Sequence, residues 1–172
     1  EHEIKLSVVR YGNVMGSRGS VIPFFIKEKE KGILPITDDR MTRFNITLKQ
    51  GVDFVLECVE KMWGGELFVP KIPSYNILDV AKAIAPEAKY DFVGIRSGEK
   101  LHEEMITETD ALNSVEFEKY FVILPSTKLW DIDKFKRESN SSIGKMCEFG
   151  FSYNSGTNKH FLNVTDLQGL IK

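Results

Sequence analysis

Cysteine is scarce in this chain of 172 residues: only Cys58 and Cys147 occur, far apart and at no metal-ligand spacing. That excludes a disulfide framework and a zinc module, and both thiols read as reduced, structural residues of a cytoplasmic protein. Long apolar runs are missing too. None approaches the roughly 20 residues that a membrane helix needs, so no membrane span is expected within the chain. Charge of one sign is missing as well. The formal net charge is -2, which gives no basic field to recruit nucleic acid. The three histidines, His2, His102 and His160, have no ligand-like spacing, so no metal site is expected. Repeats and low-complexity tracts are absent.

What is present is an ordinary globular mix, 42% hydrophobic and 28% charged. Residues 4–9 (IKLSVV) are mostly apolar and rich in β-branched residues, as in a buried parallel strand. The loop GNVMGSRGS (12–20) follows, then a helix over 21–31 capped by Ser20, with Pro23 in its first turn and Gly32 at its end. ILPI (33–36) is extended. Thr47 and Gln50 form a capping-box pattern before a helix whose apolar face is Val52, Val55, Leu56, Val59 and Met62. ELFV (66–69), KYDFVGI (89–95) and KYFVIL (119–124) read as strands. Ile77, Val80, Ala81 and Ile84 mark a short helix opened by Ser74 or Asn76, and LHEEMI (101–106) reads as helical. Residues 125–160 are polar and irregular, RESNSSIG (137–144) is a loop, and a last helix is expected near 165–171. Alternating strand and helix point to the α/β class. The chain starts at Glu1 and enters an apolar segment within four residues. A missing upstream part is therefore expected, and an apolar edge strand left without its neighbour predicts self-association.

Six blocks carry a resemblance, in order along the chain: RYGNVMGSRGSVIPFF (10–25), PITDDRMTRF (35–44), TLKQGVDFV (47–55), FVPKIPS (68–74), GIRSGEKLHEEMI (94–106) and YNSGTN (153–158). They resemble the extended short-chain dehydrogenase/reductases that act on nucleotide sugars. Among these the likeness is greatest to the inverting UDP-N-acetylglucosamine 4,6-dehydratases of surface-glycan and pseudaminic-acid-type biosynthesis. The resemblance implies a Rossmann-like fold of which residues 1–172 are the C-terminal, substrate-binding portion: the last strands of the parallel sheet plus a small substrate-binding subdomain. The family's G-x-G-x-x-G fingerprint and its Tyr-x-x-x-Lys pair are absent, since no tyrosine has Lys four residues later. The family's Asp-Lys pair also lies upstream. The resemblance thus implies no catalytic residue here and no activity of the chain alone.

The ligand so implied is a UDP-sugar. Its diphosphate needs fixed cations, and the planar fork of arginine matches phosphate oxygens. Arg43 in MTRF and Arg96 in IRSGE stand at matching family positions. Asn13, just after the first strand, is implied to contact the sugar-phosphate, and Glu99 to accept from ribose hydroxyls. Gly98 allows close backbone approach. Val21, Pro35 and Ile36 match the uracil slot, and Tyr11 and Gly12 border the nicotinamide of NADP, which the upstream half would mainly hold. Ser97 stands where relatives have proline, and Asn45 where an aromatic is expected. Residues 125–150 match weakly. Asn45, Asn140 and Asn163 begin N-x-S/T triplets, which carry little weight without secretion.

The complete enzyme, as the resemblance implies, oxidises C4 of UDP-GlcNAc, eliminates water across C5 and C6, returns the hydride to C6 and inverts C5. A homo-oligomer is expected of it. Two alternatives stand beside this reading. One is a UDP-GlcNAc 4-epimerase of capsule synthesis, against which VMGS and FVPKIPS weigh. The other is a nonenzymatic remnant that binds a UDP-sugar or a partner chain.

Overall fold

The computed structural model describes residues 4–138 and 143–171. Residues 139–142, half of the loop expected at 137–144, and with them the triplet at Asn140, lie outside the described residues, and Arg137 and Glu138 end a helix instead. The strands are β1 (Val8–Val9), β2 (Asn13–Val14), β3 (Ile33–Ile36), β4 (Thr42–Ile46), β5 (Leu67–Pro70), β6 (Ser74–Asn76), β7 (Lys89–Phe92), β8 (Glu104–Ile106), β9 (Ser114–Glu116), β10 (Tyr120–Ile123), β11 (Lys145–Met146) and β12 (Tyr153–Asn154). The helices are α1 (Val21–Glu28), α2 (Leu48–Lys61), α3 (Ile77–Ile84), α4 (Glu108–Ala111), α5 (Ile132–Glu138) and α6 (Val164–Ile171). Two compact units share them, each built from three stretches of chain.

The first unit takes Glu1–Tyr11, Lys49–Lys71 and Glu104–Tyr153, as far as these are described. Its sheet runs β1-β5-β10-β9-β11, with β1 parallel to β5 and every other pair antiparallel. The core is aromatic. Phe54 of α2 meets Tyr120 edge-on at 5.9 Å, and Phe135 of α5 stacks on Trp130 at 4.4 Å and stands edge-on to Trp63 at 5.4 Å. Glu66, fully buried, accepts from the Trp63 and Gly64 backbone N–H groups and from the Ser7 hydroxyl, and so holds the turn between α2 and β5.

Two expectations change here. Residues 4–9 form only a two-residue strand at the sheet edge, and Ile4 is 84% exposed, because β5 is the single strand beside β1. In α2 the buried residues are Gly51, Phe54 and Cys58. Val52, Val55, Leu56 and Val59 face outward, Leu56 60% exposed. The helix carries two apolar stripes, and the one with the larger ring, Phe54, meets the sheet. Burial pushes the Cys58 thiol up to about 12, so at neutral pH it serves as an apolar packing residue.

The second unit takes Gly12–Leu48, Ile72–Glu103 and Asn154–Lys172, again as far as described. Its core is mainly aliphatic: Ile22 and Phe25 of α1, Leu34 and Ile36 of β3, Val80 of α3 and Leu167 of α6. β4 lies between β2 (parallel) and β6 (antiparallel), while β3 pairs with β7 in parallel. α3 is capped as expected: the Asn76 side chain accepts the Leu78 N–H at 2.7 Å. At α6 the Asn163 side chain accepts from the Asp166 N–H, and Asp166 accepts from the Asn163 N–H, both at 3.0 Å.

Three local expectations change in this unit. α1 stops at Glu28, and a 3-10 turn over Lys29–Lys31 carries the chain to Gly32. Ser20 occupies the N-cap position of α1, but its hydroxyl caps nothing. The helix read at 101–106 is absent, and the chain there enters β8 in extended form. Six residues are too few to nucleate a helix unaided. Side chains satisfy the extended backbone instead, the Glu103 N–H donating to Ser155 Oγ at 2.8 Å.

Candidate ligand cavity in the second unit

Register decides which side chains share a face. In β4 and β6, Arg43 lies directly opposite Tyr75. In β2 and β4, Asn13 lies opposite Asn45, two residues on from Arg43. Side chains alternate across a strand, so Asn13, Arg43 and Tyr75 emerge on one face of these three strands. The other face takes Phe44, against which Gly12 packs so closely that a Cβ there would lie 2.4 Å from Phe44 Cβ. The same alternation in β3 sends Leu34 and Ile36 into the core and turns Pro35 the other way. At α1, Ile22 and Phe25 enter the core while Val21 begins the helix at the rim.

Asn13, Arg43, Tyr75, Pro35 and Val21 line a cavity of about 770 Å³, a size suited to a small-molecule ligand. Six of the eight residues assigned to the substrate from sequence are on its wall: Asn13, Val21, Pro35, Arg43, Arg96 and Glu99. Ile36 is wholly buried in the core and not on the wall. Gly98 is beside the wall, in a turn closed by the Glu99 N–H donating to the Arg96 carbonyl at 3.0 Å. Its φ of +81° is the conformation that the third position of such a turn requires. Ser97 fills the second position, where proline is favoured, which accounts physically for the residue expected there. Tyr11, half exposed, belongs to the first unit. Neither Tyr11 nor Gly12 lines the cavity, and the closeness of Phe44 is a sufficient reason for glycine at 12.

Arg43 is held firmly. Its Nη1 donates to the Thr42 carbonyl at 2.7 Å and the Leu101 carbonyl at 3.1 Å, with Glu99 and Glu103 carboxylates each 3.8 Å from the guanidinium. Arg96 is exposed, in the turn that also bears Glu99. Arg18 and Lys27 add positive charge to the wall, and the Ser20 hydroxyl is buried there with no partner among the described residues. The cavity thus offers four cationic side chains against one carboxylate, with apolar groups from α1 and β3 alongside. That arrangement suits a ligand with an anionic middle and a flat apolar end.

The sequence reading missed Tyr75 and Glu103. Tyr75 is buried on the wall and lies close to the Asn13 side chain. Burial, with the Glu103 carboxylate nearby, pushes its hydroxyl up to about 12, so it remains protonated. Burial also raises the Glu103 carboxyl, while the Phe44 N–H, Arg43 and Asn13 oppose that shift. Asn45 is 2% exposed and cannot accept a glycan. Among the described residues no helix is long and apolar enough to cross a membrane.

The chain belongs to the polysaccharide biosynthesis protein family, whose profile matches residues 1–125. Among individual proteins, it is 48% identical over 172 residues to the UDP-N-acetylglucosamine 4,6-dehydratase (inverting) of Campylobacter jejuni subsp. jejuni, covering 98% of this chain and 52% of that protein. It is 41% identical over 174 residues to the UDP-glucose 4-epimerase of Rickettsia akari, covering 98% of this chain and 50% of the epimerase. In three dimensions it is similar to Pen from Bacillus thuringiensis, known from an X-ray structure: TM-score 0.79 and 31% identity over 97% of this chain and 49% of Pen. The mixed α/β architecture is therefore shared with a solved relative. The chain spans about half the length of the curated relatives it matches.

Proposed function

We propose that this chain is the substrate-binding portion of an inverting UDP-N-acetylglucosamine 4,6-dehydratase that supplies nucleotide sugars for surface glycans. The observation that carries the reading is convergence. Asn13, Val21, Pro35, Arg43, Arg96 and Glu99, chosen as ligand contacts and spread over more than 80 residues of sequence, line one cavity. The 48% identity to a dehydratase supports it further.

In this reading Arg43 and Arg96 clamp the diphosphate, each charge-assisted bond contributing roughly 1.5–3 kcal/mol. Glu99 accepts from ribose hydroxyls, Gly98 admits the ligand close to the backbone, and Asn13 contacts the sugar-phosphate. Val21, Pro35 and Ile36 shape the uracil slot, Ile36 from beneath the wall. Tyr11 and Gly12 border the nicotinamide. NADP, when bound, supplies the hydride acceptor and donor. This chain contributes binding energy and orientation and no acid or base. Residues outside it hold most of the cofactor and do the proton transfers, so the chain alone is inactive. The whole enzyme works in the cytoplasm as a homo-oligomer.

The test uses the complete polypeptide that contains this chain. Incubated with UDP-GlcNAc, it should yield a product lighter by one water in mass spectrometry, and Arg96→Ala should weaken or abolish that conversion. An isobaric product with changed chromatography would establish a 4-epimerase, the second reading, which the 41% identity to a UDP-glucose 4-epimerase favours. No conversion despite UDP binding would leave a nonenzymatic binding module.

A further inference from the structure

We propose that Glu103 is a positioning residue of the cavity, whose carboxylate sets the orientation of the Asn13 amide and the Arg43 guanidinium. The inference rests on the UDP-sugar reading for its purpose, but its geometry stands apart from that reading.

Glu103 itself does not line the cavity; its neighbours Asn13, Arg43 and Tyr75 do. One carboxylate oxygen accepts the Phe44 N–H at 2.8 Å, which places it against β4. The other stands 3.8 Å from Arg43 Nε. The Asn13 side chain lies close enough to the same carboxylate and to the Tyr75 hydroxyl to favour the ionised form of each. An amide bears a donor end and an acceptor end, and an ionised carboxylate only accepts. Glu103 therefore selects the amide's N–H end for itself, so its negative charge decides which way Asn13 is turned. A neutral side chain could not impose that choice.

The backbone beneath is locked by a second set of bonds. Ser155 Oγ accepts the Glu103 N–H at 2.8 Å and lies 2.8 Å from Thr42 Oγ1, which lies 2.8 Å from His102 Nδ1. Thr42 precedes Arg43, and His102 precedes Glu103, so this partly buried group ties together the two strands of chain that carry the charged pair. The titratable groups around Glu103 are Arg43 on β4, Tyr75 on β6, Glu99 beyond Arg43, and His102 on its own segment. Burial holds its carboxyl above the ordinary value, which fits a group shielded from water and anchored by partners.

The test is side-chain NMR of this chain, following the Asn13 amide and Arg43 Nε–H signals. In the wild type, both should titrate together with the Glu103 carboxyl. In Glu103→Gln, both should shift at neutral pH and lose that titration, while Glu104→Gln, an exposed neighbour, should change neither. Signals that ignore the Glu103 titration in the wild type would overturn the proposal, a result available even if Glu103→Gln fails to fold. UDP is then added. Where the wild type binds it, Glu103→Gln should weaken binding roughly tenfold or more; unchanged affinity would overturn the positioning role. A wild type that does not bind UDP at all would sink the UDP reading instead, and the titration would still decide the role of Glu103.

Discussion

The two units bury their interiors by different means. The first uses rings: Phe54, Phe68, Phe117, Tyr120 and Phe135, with Trp63 and Trp130 against them. The second uses aliphatic side chains and sets a polar group, buried Thr42 and Ser155 with half-buried His102 and Glu103, beside a charged cavity. Rings bury much area per residue and have little to specify chemically, so that core is a matter of packing. A polar group under a cavity costs desolvation and must be fully bonded, but it fixes directions that an apolar core cannot. In the first unit the buried polar group, Glu66, holds a turn, whereas in the second the polar group stands beside the cavity, where oriented donors and acceptors are needed.

The largest expected effect separates the two faces of the first unit. Phe135→Ala, at a fully buried ring among Trp63, Trp130 and Phe117, should cost about 3–5 kcal/mol in denaturant unfolding. Leu56→Lys on the outward stripe of α2 should stay within ~0.5 kcal/mol. It should also reduce self-association in light scattering, and equal costs at the two sites would erase the distinction. In the second unit, Ser155→Ala leaves the half-buried Glu103 N–H without its acceptor and should cost about 1–3 kcal/mol, measured the same way.

A pH series sharpens the contrast. A carboxyl whose folded value is raised releases its proton later in the folded chain than in the unfolded one. The stabilisation from the protonated form is complete below the unfolded value and is lost as pH rises through the folded one. Stability should therefore lose a component on rising through the region just above the ordinary carboxylate range, and Glu103→Gln should remove that component. An unchanged profile in the variant would contradict the assignment. The smallest effect is a gain: Ser97→Pro, at the second position of the Arg96–Glu99 turn, should stabilise by about 0.4–1 kcal/mol in thermal unfolding.

Much of this was legible in the residues, and the gaps have physical causes. α3 and α6 were readable from their spacing, and α3 from its Asn76 cap as well. Arg43 and Arg96 could be singled out through short motifs that fit a phosphate-binding role. Tyr75 and Glu103 could not, because their relevance comes from the register of β4 with β6 and from a long-range bond to the Phe44 N–H. β4 itself was missed. Phe44 and Ile46 do alternate with Arg43 and Asn45, but five residues are a short window in which to read a period of two. The face of α2 was misjudged because periodicity locates apolar stripes and says nothing about which of two meets the sheet.

The central claim is that the second unit's cavity binds a UDP-sugar through its paired arginines. The most direct measurement is calorimetric titration of UDP into this chain, repeated with Arg96→Ala and Arg43→Lys. The account predicts saturable binding that each substitution weakens by roughly tenfold or more, Arg43→Lys included, because lysine keeps the charge and loses the fork. Binding indifferent to both substitutions, or no binding at all, would contradict it.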